Sequence, residues 1–393
     1  MVLDLYFASV LIFIAFLAII IYRDRKNIDV NYILLMRRSK RGIKFIEKIA
    51  KYSRFWKIVG TIGVITAFFV TALGFWSLID LSIKIISGEI TGPTGGIVLP
   101  SPTATTVVGP GVLLIPFWFW ILIIPIILIP HELFHGIIAK AEKVRIKSVG
   151  LLLFAIFPGA FVEPDEKQIK KLKVLDKFRI FTAGSFANVL IGLILFNPFL
   201  NIGLIPNVIW PTFVSNGLYI DKVNQTSPAF QAGIPDQSIL TSIDGQKIQI
   251  GYTDYLTRTY LLKYIPDVKK DANVTLTVNG IDYSVRPNLI TENGTSKYYI
   301  GVILKPIINV NEEFFFGFLI PFLTWLWLFC YGVAIVNILP IYPLDGGLVL
   351  QAIAQKITKK HQKLITTVVT IFTLSLLIFS IIGPYIIKVF QFF

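Results

Sequence analysis

Two histidines and a glutamate stand together in the segment His-Glu-Leu-Phe-His, which runs from His131 to His135 in a chain that holds only 3 histidines. On a helix, residues i and i+4 lie on one face, so both imidazoles can bind the same zinc ion while Glu132 accepts a proton from water on the metal. The alternative is a pair of interior histidines beside a buried carboxylate. Ionisable groups in so apolar a segment cost roughly 3 kcal/mol each and seldom occur there without a function. The spacing therefore predicts a zinc centre.

A catalytic zinc ion normally takes three protein ligands and keeps one position open. The best candidate for the third ligand is Asp345, in the segment Asn-Ile-Leu-Pro-Ile-Tyr-Pro-Leu-Asp-Gly-Gly that starts at Asn337. Pro340 and Pro343 end a helix there, and two glycines allow tight backbone around Asp345. Its carboxylate is therefore expected to point into a helix bundle at a broken helix. The alternative is a plain Asp-Gly turn.

The elements that position these residues belong in a membrane. The chain is 54% hydrophobic and 15% charged, with a mean hydropathy of +0.72, which is too apolar for an ordinary soluble protein. A bilayer core needs about 20 apolar residues per helix. Six stretches qualify, at 2–22, 58–79, 112–139, 180–203, 314–339 and 364–390. The first lacks a basic region before it and is predicted to be a retained helix rather than a cleaved signal.

The basic residues cluster as the rule for cytosolic loops predicts. Residues 23–57 hold 12 Lys and Arg, 140–180 hold 10 and 356–363 hold 4, out of 37 in the chain. We therefore expect these three segments to be cytosolic. Successive spans cross the membrane in opposite directions. With these three segments in the cytosol, the N-terminus, residues 80–111, residues 204–313 and the C-terminus therefore lie outside the cytosol. Abundant Ile and Lys with little Cys and His are typical of a thermophilic prokaryote, so we expect a prokaryotic cell membrane.

A net charge of +14 would suggest a nucleic-acid partner in a soluble protein. The basic run at 37–57 carries interspersed aromatic residues and could be interpreted in that way. A juxtamembrane segment that meets anionic lipid is the better interpretation. We predict membrane lipid and no nucleic acid as a partner.

Depth in the bilayer supports Asp345 as the third ligand. His135 lies about 7 Å of helix rise before Lys140 at the cytosolic border, and Asp345 follows an inward-running span and precedes a basic stretch. Both motifs thus reach the cytosolic half of the membrane independently. Glu163 and Glu166 are rival ligands, but they adjoin a lysine-rich run that is typical of a solvated cytosolic loop.

The two motifs together resemble those of the site-2 protease family of intramembrane zinc metalloproteases, over about residues 112–355. The resemblance implies a core of the third, fourth and fifth spans, with His131, His135 and Asp345 as ligands of one Zn²⁺ and Glu132 as the base. The segment from Gly184 to Asn188 matches the family's G-x-x-x-N pattern.

The resemblance also offers Asn188 and Asn337 as groups that contact the substrate backbone or the developing oxyanion. The alternatives are close helix packing at Gly184 and an interhelical hydrogen bond from Asn188. The apolar run 149–162, too short to cross, corresponds to a re-entrant β-hairpin with a turn at Pro158-Gly159. By analogy, an unwound substrate would add to it as a strand.

The region 204–313 carries 9 basic and 10 acidic residues and short β-branched runs, which indicate a strand-rich soluble domain. Segments 227–233 and 239–247 look like parts of a PDZ domain, although 235–238 departs from the usual pattern. The carboxylate-binding loop would be formed by Gly217, Leu218, Tyr219 and Ile220. The domain could equally act as a steric filter with an empty groove.

The expected fold class is a polytopic α-helical membrane protein with about six transmembrane helices, a re-entrant β-hairpin and an inserted PDZ-like domain. The expected parts are two N-terminal helices in 1–111, the first half of the protease core in 112–203, the PDZ-like domain in 204–313, the second half of the core in 314–355, and a C-terminal helix in 356–393.

We therefore expect an intramembrane endopeptidase whose partners are transmembrane protein substrates. A zinc protease that trims prenylated tails would share the histidine motif, but it needs neither Pro-Leu-Asp-Gly-Gly nor an outer domain. A catalytically inactive scaffold or a metal carrier is the alternative from another class. The intact Glu132 argues against a scaffold, and ligands that converge on one place argue against a carrier.

Overall fold

The structure is a computed structural model, and it describes residues 5–31, 34–90, 92, 96–101, 103, 107–109, 112–195, 217–249, 272–292, 295–307 and 318–390. The chain forms two compact units. The first contains residues 1–192 and 324–393, and the second contains residues 193–323.

Ten α-helices lie in the described residues. They are α1 (Leu5–Asp24), α2 (Lys40–Ala50), α3 (Ser53–Ile86), α4 (Phe117–Ala141), α5 (Glu166–Lys171), α6 (Val174–Leu195), α7 (Pro228–Gln231), α8 (Ile320–Ile338), α9 (Asp345–Ile357) and α10 (Gln362–Phe390). A 3-10 turn, Arg25–Asn27, continues α1.

The strands of the first unit are β1 (Ile28–Asn31), β2 (Leu34–Arg38), β3 (Ile97–Ser101), β4 (Val107–Gly109), β5 (Val112–Pro116), β6 (Ile146–Phe154) and β7 (Phe157–Pro164). Those of the second unit are β8 (Leu218–Val223), β9 (Ser238–Ile243), β10 (Gln246–Lys247), β11 (Val274–Val278), β12 (Ile281–Val285), β13 (Asn288–Glu292), β14 (Thr295–Tyr299) and β15 (Val302–Pro306).

Among the described residues, six helices are long and apolar enough to cross a membrane, namely α1, α3, α4, α6, α8 and α10. The predicted polytopic membrane architecture is confirmed. Large apolar side chains point outward from these helices, such as Ile12 at 68% and Phe69 at 64% exposure, as contact with lipid requires. The predicted ends of the fourth span at 203 and of the fifth at 314 lie outside the described residues.

Two helices are longer than their apolar stretches predict. Helix α3 extends by several residues on both sides of 58–79, and α6 begins at Val174 rather than at 180. Arg179, which marks the edge of the apolar stretch in α6, is neutralised by Glu142, whose Oε1 accepts from Arg179 Nη1 at 2.9 Å. A paired charge therefore does not end the helix.

Abundant Gly, Pro and Thr in residues 87–111 disfavour regular sheet, yet this segment contributes strands to a sheet. Strand β5 pairs in parallel with β3 and antiparallel with β4, and the sheet order is β3-β5-β4. Pro100 lies in β3, an edge strand, where a missing N–H is tolerated. Strand β5 also occupies the predicted start of the third span, because residues 112–116 pair with β3 and the helix begins at Phe117.

The predicted hairpin at 149–162 is present as β6 and β7. Its turn is formed by Ala155 and Ile156, not by Pro158-Gly159, since Phe154 pairs with Phe157 and Pro158 lies within β7. The hairpin is part of a four-stranded antiparallel sheet with the order β1-β2-β6-β7, so β1 and β2 extend it. These two strands were not predicted from the sequence.

The core of the first unit joins this sheet to the helices that carry the site. Helix α2 buries Ile46 and Ala50 against α4 and leaves its lysines exposed, as its amphipathic sequence predicts. A Cβ built on Gly136 of α4 would lie 2.8 Å from Ile46 Cδ1, so the glycine allows α2 to pack closely. Buried residues of α4, β6, α5 and α6 complete this cluster.

The second unit contains a sheet with the order β12-β11-β9-β8-β15, with β10 beside β9, and a separate hairpin of β13 and β14. Its own apolar core includes Leu218, Ile220, Leu240 and Leu276, each at most 1% exposed. Alternate buried positions along β11 follow the period of a half-buried strand.

Candidate metal centre

Helix α4 carries both histidines and the glutamate. His131, Glu132 and His135 lie near its C-terminal end, and His131 is buried at 5% exposure. The rings of His131 and His135 lie with their centroids 4.8 Å apart, as the i, i+4 spacing on one helix face requires. The helix thus directs two Nε2 atoms to the same point.

Asp345 is the first residue of α9, directly after the non-helical segment that follows α8. The two glycines after it are explained by their surroundings. A Cβ on Gly346 would overlap the backbone carbonyl of Ile338, and a Cβ on Gly347 would overlap the backbone at Ile341. Close approach of α9 to the end of α8 thus places the Asp345 carboxylate at the broken helix.

The donor atoms of the three residues form a nearly equilateral triangle. His131 Nε2 and His135 Nε2 lie 3.2 Å apart, and Asp345 Oδ2 lies 3.4 and 3.3 Å from them. A tetrahedral zinc ion with ligands at about 2.0–2.1 Å holds them about 3.3–3.4 Å apart. The donor set and the triangle therefore fit a zinc ion with its fourth position open.

Three polar groups of α6 contact His131, His135 and Asp345. His135 Nδ1 donates to the carbonyl oxygen of Ile180 at 2.7 Å, which leaves the lone pair of Nε2 for a metal. Ser185 Oγ donates to Asp345 Oδ2 at 3.2 Å. The amide nitrogen of Asn188 lies 3.2 Å from His131 Nδ1.

Gly184 sits where α6 meets the two histidines. A Cβ at this position would lie 2.5 Å from His131 Nε2 and closer still to His135 Nε2. Any other residue would occupy the point on which the imidazoles converge. The need for glycine at 184 is therefore steric, and it depends on the imidazoles rather than on helix packing alone.

Glu132 is held by the hairpin. Its Oε2 accepts from the backbone N–H of Val162 in β7 at 3.1 Å. The carboxylate therefore lies beside the three donor atoms without being one of them, where a group that accepts a proton from water is needed.

A cavity of about 690 Å³ opens beside the centre. His131, Glu132, His135 and Asp345 line one part of it. The remaining lining includes several polar side chains, namely Glu163, Glu166, Lys170, Lys177, Gln351 and Gln355. Charged and amide side chains can form hydrogen bonds with water, so this lining is suited to a path for water to the buried donor atoms.

The structure separates the predicted ligands from their rivals. Glu163 and Glu166 line the cavity, but Glu163 Oε2 accepts from Ser148 Oγ at 2.7 Å and neither residue belongs to the donor group. Asn188 is fully buried beside His131, and Asn337 lies partly buried in the last turn of α8. Residues Gly217 to Ile220 lie in the second unit, at the start of β8.

Three groups at this centre were not predicted from the sequence. They are the carbonyl of Ile180, the N–H of Val162 and the hydroxyl of Ser185. Backbone groups leave no trace in residue types, so the first two had no signal in the sequence. Ser185 stands next to Gly184 and could have been considered with it.

The residues of this site lie within a range that matches a known protein family. The profile of peptidase family M50 matches residues 119–380. An uncharacterized protein of Methanocaldococcus jannaschii is 30% identical over 365 residues, which cover 89% of this chain and 86% of that protein. A membrane-bound transcription factor site-2 protease homolog of Arabidopsis thaliana is 31% identical over 121 residues, which cover 30% of this chain and 22% of that protein. The residues matched by the family profile include the three donors and Glu132.

Proposed function

The chain belongs to peptidase family M50, a family of intramembrane zinc metalloproteases, and we propose that it hydrolyses peptide bonds of transmembrane substrates near the cytosolic side of the bilayer. The observation that carries the proposal is the convergence of His131, His135 and Asp345 on one point, with Glu132 beside them at a cavity. A scaffold without activity would have no need to keep the glutamate.

In this proposal His131, His135 and Asp345 hold one zinc ion. When bound, zinc polarises the scissile carbonyl and lowers the pKa of a water to about 7. Glu132 accepts the proton of the attacking water and delivers it to the leaving amine. The Val162 N–H keeps the carboxylate in place for both transfers. Asn337 remains a candidate for contact with the substrate.

The cavity supports the supply of water. Its polar residues come from β7, α5, α6 and α9, next to basic segments that the charge pattern assigns to the cytosol. A scissile bond inside the bilayer has no other source of water, because lipid excludes it. Cleavage near the cytosolic end of α4 follows from the position of His135, about 7 Å of helix rise before Lys140.

Substrate binding is proposed at the hairpin. Strand β7 is the edge strand of the sheet β1-β2-β6-β7, and residues 162–164 of this strand line the cavity. A substrate segment that unwinds can pair with such an edge, which holds its backbone extended beside the donors. A helical segment could not be cut, because its own hydrogen bonds shield the peptide group.

Residues 204–313 are proposed to form an extracytoplasmic PDZ-like domain that filters or recruits substrates. The apolar core of the second unit supports a small independent β domain. The role of the loop at Gly217 to Ile220 is limited by the sheet order, since β8 is paired with both β9 and β15. A peptide could add only to a free edge, and the edges of the described sheet are β12 and β15.

The test is incubation of the purified protein with a panel of single-span substrates, with a zinc chelator and after zinc is restored. We expect cleavage within the spanning segment, loss of cleavage with the chelator and recovery with zinc. Cleavage that continues in a metal-stripped protein, or no cleavage of any substrate by the zinc-loaded protein, would overturn the proposal.

A further inference from the structure

Helix α6 supplies none of the three donor atoms, yet it contacts all three residues that do. The carbonyl of Ile180 engages His135, the hydroxyl of Ser185 engages Asp345, and the side chain of Asn188 lies against His131. These groups stand at positions i, i+5 and i+8 on one side of the helix. Gly184, between them, lets the helix backbone approach the imidazoles.

Two of these contacts have an unambiguous direction. A carbonyl oxygen only accepts, so Ile180 fixes the proton of His135 on Nδ1 and frees Nε2 for the metal. The hydroxyl of Ser185 donates to Asp345 Oδ2, which orients that carboxylate. Ile180 thus engages the ring nitrogen of His135 that lies outside the triangle, whereas Ser185 engages the triangle atom of Asp345 itself.

The third contact, between Asn188 and His131, has two possible directions. If Nε2 of His131 binds a metal, Nδ1 must carry the proton and becomes a hydrogen-bond donor. The amide nitrogen of Asn188, now 3.2 Å from Nδ1, is also a donor and cannot receive it. The carbonyl oxygen of Asn188 is buried and has no hydrogen-bond partner among the described residues. Rotation of the carboxamide by half a turn exchanges the two atoms within the same space.

We propose that Asn188 is a positioning residue that accepts the Nδ1–H of His131 through its side-chain carbonyl, so that α6 orients all three metal-binding residues. The inference rests on the proposed zinc site. Asn188 is 0% exposed and lies behind the imidazole, so it acts on a substrate only through His131. This role differs from the contact with substrate or oxyanion that the motif alone suggested.

The test measures metal affinity rather than turnover. Purified wild type, Asn188→Leu and Asn188→Asp are stripped, and zinc affinity is determined by competition with a chromophoric chelator. Thr182→Val is the matched control, because Thr182 is also buried in α6 but its hydroxyl donates to Phe178. Loss of a partner of this kind typically lowers metal affinity about 10–100-fold.

We expect that drop for Asn188→Leu, an affinity close to wild type for Asn188→Asp, which keeps an acceptor, and no change for Thr182→Val. If Asn188→Leu binds zinc as wild type does while kcat falls, Asn188 contacts the substrate and the inference is wrong. If Asn188→Asp binds as weakly as Asn188→Leu, the amide donates and the acceptor role is wrong.

Size-exclusion chromatography shows whether each variant folds. If Asn188→Leu does not fold, the affinity of Asn188→Asp alone decides between acceptor and donor. Absence of stoichiometric zinc in the wild type would instead contradict the proposed function, so the two failures are distinguishable.

Discussion

Glu132 accepts a hydrogen bond from Val162 at the strand edge that faces away from β6. The two-residue turn makes Phe154 and Phe157 a hydrogen-bonded pair, and alternation along the ladder makes Val149 and Val162 a non-bonded one. The Val162 N–H therefore points to the outer edge and meets the Glu132 carboxylate at 3.1 Å. In the proposed mechanism this hydrogen bond holds the base in place while it transfers protons.

Replacement of the base separates metal binding from chemistry. Glu132→Gln should retain zinc close to wild type, because all three donors remain, and should abolish cleavage, because an amide cannot accept the proton. Zinc analysis and a cleavage assay check both points. Glu163→Gln, a second cavity glutamate, is the control and should remain active. Unchanged turnover in Glu132→Gln would contradict the mechanism.

The third ligand is tested by metal analysis of two carboxylate variants. Asp345→Ala should lose stoichiometric zinc, since two histidines on one helix hold the ion loosely. Glu163→Ala should keep it, because Glu163 bonds to Ser148 and lies outside the donor triangle. The assignment is wrong if only the Glu163 variant loses the metal.

The steric role of Gly184 predicts a large effect from one methyl group. Gly184→Ala should fall well below stoichiometric zinc, because its Cβ would lie where His131 Nε2 and His135 Nε2 converge, and overpacking should cost about 1–3 kcal/mol of stability. Gly332→Ala in α8 is the matched control, since nothing lies within 4 Å of its Cβ position. Equal zinc content in the two variants would exclude the steric explanation.

Glu142, directly after α4, forms an ionic cluster with Arg179 of α6 and Lys57 of α3. Glu142, with a side chain only 3% exposed, accepts from Arg179 at 2.9 Å and from Lys57 at 2.7 Å. Glu142→Ala should lower the free energy of unfolding by about 1–3 kcal/mol, because Arg179, with a side chain 16% exposed, keeps only Asp176 as an acidic partner among the described residues.

The control for this prediction is Glu47→Ala, which removes the exposed pair with Lys140 and should cost at most about 1 kcal/mol. Thermal unfolding of both variants in the same detergent measures the difference. Similar melting temperatures for the two would show that the cluster does not stabilise the fold.

The predicted outer domain is tested by replacing residues 214–305 with a flexible linker. Zinc binding should persist, because the donors and their partners lie in the first unit. The ranking of substrates by ectodomain size should change. Preserved cleavage with an unchanged ranking would contradict gating, and cysteine labelling of this region from the cytosol would contradict the topology.

The metal-binding residues could be predicted, because the period of a helix determines which side chains share a face and prolines mark where a helix ends. His131 and His135 share a face on any helix, and the prolines before Asp345 correctly indicated the break between α8 and α9. The contacts around them were not predictable. The Val162 N–H reaches Glu132 only because β7 packs on α4, and the Ile180 carbonyl reaches His135 only because Gly184 lets α6 approach.

The spans were predictable to within a few residues, and their errors have physical causes. Arg179 suggested a helix start at 180, but its pairing with Glu142 removes the cost of a charge there. Strands β1 and β2 were missed because a short strand is stabilised by its partner, and the partner of β2 is more than 100 residues away in the chain.

The sheet β1-β2-β6-β7 is completed by residues that precede the range matched by the family profile. A protein shortened to residues 119–380 would keep every residue of the metal centre and lose β1 and β2. Strand β6 would then have an unpaired edge, and an exposed strand edge pairs readily with other chains. A form of this protein that keeps β6 paired on both sides is therefore longer than the range matched by the family profile, and it includes β1 and β2.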